Sequence, residues 1–155
     1  MALTYNEQLQ EIVRKYRDAG EEWPTTSKHI AAWAINHGLW QPQRMLLISK
    51  CAEEMSKAMR EEYIVDPQGR SVRAKHAARV ERDGEQMVLW DDIRSASREH
   101  MGIAFQQRRQ QIVGDCRQLK RDIDSYNENR CPGQPIQASF DFTYDLQELE
   151  AVGAG

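Results

Sequence analysis

Between Thr26 and Lys75 the sequence TSKHIAAWAINHGLWQPQRMLLISKCAEEMSKAMREEYIVDPQGRSVRAK leaves little choice of fold. Two stretches at helical spacing are followed by a β-branched strand and a tight turn. Thr25, Thr26 and Ser27 each suit a helix N-cap, and Ile30, Trp33, Ala34 and His37 fall on one buried side of the helix that follows. That helix should stop at Gly38. Leu39 to Pro42 make the connection, and Pro42 is tolerated in the first turn of the next helix. There Leu47, Cys51, Met55 and Met59 recur at a spacing of one turn, widened by Ile48, Ala52 and Ala58. Arg44, Lys50, Glu53, Glu54, Lys57 and Glu61 take the opposite face. Tyr63-Ile64-Val65 favours a strand. In Asp66-Pro67-Gln68-Gly69, proline pre-sets φ, the Asp66 carboxylate can bond the backbone ahead of it, and Gly69 accepts positive φ. Ser71-Val72-Arg73 can then return as the partner strand.

The flanks read as a brace and an arm. Thr4 with Glu7 forms a capping box for a first helix, whose apolar face is Tyr5, Leu9, Ile12, Val13 and Tyr16. Gly20 suits its C-terminal cap, and Pro24 makes the break. Residues 79–89 are ambiguous between a hairpin turning at Asp83-Gly84 and a loop. A loop or short hairpin is the reading adopted, with a long helix starting around Leu89 to Asp92. In that helix Phe105, Ile112, Leu119 and Tyr126 recur every seven residues, with Arg109, Cys116 and Ile123 as companions. It should end between Asn127 and Pro132. Ile136, Ala138, Phe140 and Phe142 alternate as a strand would, and Asp145 to Val152 is long enough for a helical turn or more.

The expected fold is therefore mostly α, α+β by strict count. Residues 1–85 form one domain, 86–131 a long helical arm, and 132–155 a short strand and acidic tail. A mean hydropathy of −0.77 fits a thin core or a protruding arm. No apolar run approaches the roughly 20 residues that cross a bilayer, so no membrane partner is expected and the location expected is cytoplasmic. The three cysteines are odd in number and show no CxxC spacing, so neither a zinc site nor a disulfide framework is expected, and no cofactor is expected. Cys51 and Cys116 read as small buried hydrophobes. The four tryptophans read as core anchors.

Enzymatic motifs are missing. There is no HExxH, GxSxG, P-loop or GxGxxG, and His29, His37, His76 and His100 have no i, i+4 partner of the HExxH kind. Charge distribution says more than the net charge of −3. Gln68 to Arg82 holds five basic residues and one acid, whereas Pro132 onward holds four acids and no base. A basic working surface and an acidic tail follow.

The order helix, helix, hairpin, together with Ala34-x-x-x-Gly38, resembles winged helix-turn-helix domains in general. That resemblance implies a regulatory DNA-binding protein, not an enzyme. Gln43, Arg44, Lys50 and Lys57 would present on the third helix in a groove, and Arg70, Ser71, Arg73, Lys75, His76 and Arg79 would lie on phosphate. Glu53, Glu54, Glu61 and Glu62 weigh toward the alternative of a solvated helix and a charged hairpin. The segments VRAKHAARVERDGEQMVLWDDI and AFQQRRQQIVGDCRQLKRDIDSYNENR resemble a group of uncharacterised bacterial proteins, which carries no catalytic residue over. Phe105, Ile112, Cys116, Leu119, Ile123 and Tyr126 form a seam that suits a second copy of the chain, giving a homodimer, or the amino-terminal helix. The competing function is that of an adaptor. Phe140, Phe142 and Tyr144, interleaved with acids, would then dock on a basic protein partner.

Overall fold

The computed structural model describes residues 2–42 and 45–153. Among them the chain is α+β, with five helices and two antiparallel two-stranded sheets. It divides into two compact units, 1–56 and 57–155.

The first unit contains α1 (Tyr5–Asp18), α2 (Ser27–Asn36) and most of α3 (Met45–Glu61). Its start is dictated locally. Thr4 Oγ1 accepts from the Glu7 amide at 3.2 Å, and the Glu7 carboxylate accepts from the Thr4 amide at 2.7 Å, completing the capping box. Thr26 caps α2 by accepting from the His29 amide at 3.2 Å. Tyr16 is fully buried and is the hub of the unit. Its ring stands edge-on to Trp33 at 5.4 Å and to His29 at 6.1 Å, and its hydroxyl donates to the Glu22 carbonyl at 2.8 Å. His37, expected on the buried side, is exposed. It stacks on Trp33 at 4.5 Å and bonds the Trp33 carbonyl through Nδ1, so the end of α2 holds it at the surface. Cys51 is also exposed rather than buried, and Leu47, Ile48 and Met55 beside it are uncovered.

The second unit begins with the last turn of α3. A first hairpin pairs β1 (Tyr63–Val65) with β2 (Ser71–Arg73) in the register Tyr63↔Arg73, Ile64↔Val72, Val65↔Ser71. Its turn forms as the residue types demand. Asp66 Oδ1 accepts from the amides of Gln68 at 3.0 Å and Arg70 at 2.8 Å, and Gly69 takes φ +87°. The chain then passes through fully buried Ala74. The Ala74 amide donates to the Glu62 carbonyl at 2.9 Å, and its own carbonyl accepts from Ile93 at 2.8 Å.

Residues 75–92 correct the reading of a loop or short hairpin. They form a full hairpin of β3 (Lys75–Arg82) and β4 (Glu85–Asp92), turning on Asp83 at φ +52° and Gly84 at φ +80°. Two successive positive φ values give the mirror-image turn whose twist matches paired strands, so pairing continues for eight residues instead of fraying into a helix. The long helix α4 (Arg98–Asn129) therefore starts later than Leu89 to Asp92, where Ser97 Oγ accepts from the His100 amide at 3.1 Å.

No strand forms over 132–142 among the described residues. The alternation of Ile136, Ala138, Phe140 and Phe142 meets no strand edge to pair with. The Asn127 side chain instead brackets Ile136, donating to its carbonyl at 2.8 Å and accepting from its amide at 2.9 Å. Asp141 Oδ1 accepts from the Thr143 amide at 3.1 Å, and α5 (Thr143–Gly153) follows. No described helix is long and apolar enough to cross a membrane.

Candidate functional site

Strand β3 has two faces, because successive side chains point to opposite sides. Ala74, His76 and Ala78 are buried, at 0%, 7% and 0% exposure. Helix α4 packs against β3 through specific contacts. Phe105 stands edge-on to His76 at 5.4 Å, and His100 Nε2 donates to the His76 carbonyl at 2.9 Å. The Gln107 amide group completes the docking. It accepts from the Arg79 amide at 2.7 Å and donates to the Arg79 carbonyl at 2.8 Å, occupying the free strand edge as another strand would. Ala104, 4% exposed, keeps the helix side of this contact small.

The other face of β3, together with His76 and Ala104 of the packed contact, lines a cleft of about 520 Å³. Lys75, Ala77 and Arg79 line it, joined by Val88 and Trp90 of β4, which lie opposite Arg79 and Ala77 in register. Arg73 and Arg60 close one side, and Gln107, Arg108, Gln110 and Gln111 of α4 form the other. The lining holds five basic residues and no carboxylate.

These cations differ in availability. Lys75 donates to Glu62 Oε2 at 3.0 Å and to Asp92 Oδ2 at 3.1 Å, and these two bonds raise its pKa, Glu62 contributing most. Asp92 in turn is gripped by Arg94, whose Nε and terminal nitrogen reach its two oxygens at 2.9 and 2.7 Å. Those bonds, with the Arg94 amide and then Lys75, hold the Asp92 carboxyl well below the usual carboxylate range. Arg60, Arg73, Arg79 and Arg108 make no ion pair among the described residues. Arg60 lies 5.9 Å over the Trp90 ring. At Arg108, burial and then the like charge of Arg73 lower the pKa, although an arginine remains cationic at neutral pH. Two like-charged guanidinium groups thus line one cleft, an arrangement that an anion between them would relieve.

The residues expected to touch nucleic acid fall in different places. Gln43 and Arg44 lie outside the described residues. Lys50 and Lys57 are exposed on α3, in the first and second units respectively. Arg70 is held by Asp66 at 2.8 Å across the hairpin turn, and Ser71 is exposed on β2. Arg73, Lys75, His76 and Arg79 are brought together in the cleft. His76 is packed rather than presented, since its Nε2 donates to the Arg73 carbonyl at 2.8 Å.

Arg60, Trp90, Gln107 and Arg108 also line the cleft and were not among the expected contacts. One signal for the strand face of the cleft was present, and none for these four. Arg73, Lys75 and Arg79 alternate with Ala74, His76 and Ala78, the pattern of a strand with one charged and one packed face. Nothing local placed α4 beside that strand. Of the long-helix seam, Phe105 leans on His76, whereas Ile112, Leu119 and Tyr126 are 52%, 50% and 43% exposed. Cys116 and Ile123 are half-buried, so Cys116 is only partly the buried hydrophobe expected.

No protein-family model, curated protein or solved structure matches the chain.

Proposed function

We propose that the protein binds nucleic acid without catalysing a reaction, and that the cleft between β3–β4 and α4 holds the phosphate backbone. One observation carries this reading. Five basic side chains line a single cleft that no carboxylate enters, and four of them have no ion-pair partner among the described residues. Phosphate attraction of this kind supplies the sequence-independent part of nucleic-acid affinity. The helix, helix, hairpin order of α2, α3 and β1–β2 supports a winged-helix type of regulator, with Ser71 and Arg73 of the hairpin on phosphate. The test is a binding titration across salt. Four available arginines predict a slope of log K against log salt of about −3, at roughly 0.7 to 0.9 per phosphate. A flat slope, or no binding at about 50 mM salt, overturns the reading.

The partner best suited to α4 is a second copy of the chain. Ile112, Leu119 and Tyr126 are half-exposed at heptad spacing, and Val113 beside them is 51% exposed. Asp115 and Lys120 flank this stripe five residues apart, the spacing at which opposite charges meet between two parallel helices. Sedimentation should give twice the 18.0 kDa chain mass at micromolar concentration, and the double substitution Ile112→Asp, Leu119→Asp should give the single mass. A wild-type protein that sediments as one chain throughout that range rejects the seam.

A different observation favours docking to another protein. On α5, Tyr144, Leu146, Leu149 and Val152 are exposed among acids, with no base from Pro132 onward. That surface suits a basic protein partner. Absence of nucleic-acid binding at low salt would make it the leading reading.

A further inference from the structure

The cleft is concave, and this bears on which form of nucleic acid it accepts. Duplex DNA is read by a convex element, a helix or β-ribbon that enters a groove about 12 Å wide. A space of about 520 Å³ walled by a hairpin and a helix cannot enter a groove and is instead entered by its ligand. Its volume falls within the roughly 300–1,000 Å³ of sites that enclose a small molecule, which suits a nucleotide or two of an unpaired strand.

The lining matches the same ligand. Trp90 and Val88 supply an apolar floor among cations. The Arg60 guanidinium over the Trp90 ring shows that a planar group reaches that face. Arg60 is exposed, so a base can take its place while the arginine turns to a phosphate. Arg73 and Arg108 line the same cleft, and the Arg73 charge acts on Arg108, which suits phosphate oxygens placed between them. The amides of Gln110 and Gln111 lie on the α4 side, where they can meet the hydrogen-bonding edge of an unstacked base.

We infer that the cleft of the second unit takes single-stranded nucleic acid, with one base stacked on Trp90 and the neighbouring phosphates on Arg73 and Arg108. The inference rests on the nucleic-acid reading above and narrows it. Aromatic floors in positively charged grooves bind single strands with little sequence preference, because every base has a face to stack.

The experiment compares a fluorescein-labelled mixed-sequence 20-nucleotide DNA, single-stranded and as its duplex, by anisotropy at one salt concentration with the full chain. The single strand should bind at least about tenfold more tightly, and it should quench tryptophan emission. Trp90→Leu should weaken single-strand binding roughly 5- to 150-fold, the range for loss of one base–aromatic stack, and leave the salt slope unchanged. Trp90→Phe keeps an aromatic face and should retain most of the affinity, and circular dichroism of both variants checks the fold. Equal or tighter duplex binding, or a folded Trp90→Leu with unchanged affinity, overturns the single-strand inference and leaves the nucleic-acid reading standing. No binding to either form overturns both.

Discussion

Replacing Arg73 and Arg108 together by alanine should lower affinity for a nucleic-acid strand about a hundredfold, and should flatten the salt slope by roughly 1.4. The slope change follows from removing two phosphate contacts at roughly 0.7 each on a single strand. Hydrogen bonds to charged groups contribute about 1.5–3 kcal/mol each, so two would exceed a hundredfold, and partial solvent exposure brings the figure down. The same change should not weaken the fold. Arg73 and Arg108 make no ion pair among the described residues, and Arg108 meets the like charge of Arg73, so removing them breaks no salt bridge. Thermal unfolding of the double variant should therefore occur at or above the wild-type temperature. Affinity and stability moving in opposite directions separate a binding site from a structural cluster. A variant that loses both, or neither, counts against the cleft.

Tyr16→Ala should cost the first unit about 3–5 kcal/mol, as for other large aromatic side chains removed from a core. Tyr16 is the one large side chain wholly buried among the described residues, and it touches two rings of the local cluster, Trp33 and His29. A unit of residues 1–56 has little other buried surface to draw on. Tyr16→Phe should cost only about 0.5–1.5 kcal/mol, because it loses the hydrogen bond to the Glu22 carbonyl and keeps the ring. Urea unfolding followed by tryptophan emission measures both, since Trp33 lies edge-on to the ring. Similar losses for the two variants would place the hub in the hydroxyl rather than in the packed ring.

Several elements could be read from neighbours in the chain alone. The capping box of Thr4 and Glu7, the Thr26 cap and the Asp66–Gly69 turn each close within four residues. Their physics is local, so residue type and spacing were enough. The periodicity of α4 was also visible, though not its start, because a hairpin competed for residues 89–92. That competition was settled by pairing along the whole of β3, which short-range propensity does not register. At 136–142 an alternating pattern produced no strand, since a strand requires a partner edge.

Sequence alone determined that this chain carries a capped helical brace, a hairpin with basic residues, and a long helix with an apolar stripe. It also determined that no familiar catalytic motif is present. Only the tertiary structure decided which basic residues lie together. Arg73, Lys75 and Arg79 line one cleft with Arg108 because α4 docks on β3, and that docking rests on contacts far apart in the chain. Gln107 meets Arg79 across 28 residues, and His100 meets His76 across 24. Small side chains at Ala74, Ala78 and Ala104 are buried in the same region. Such contacts depend on closing long loops and fitting surfaces in three dimensions, and neither is encoded in the spacing of residues along a single element.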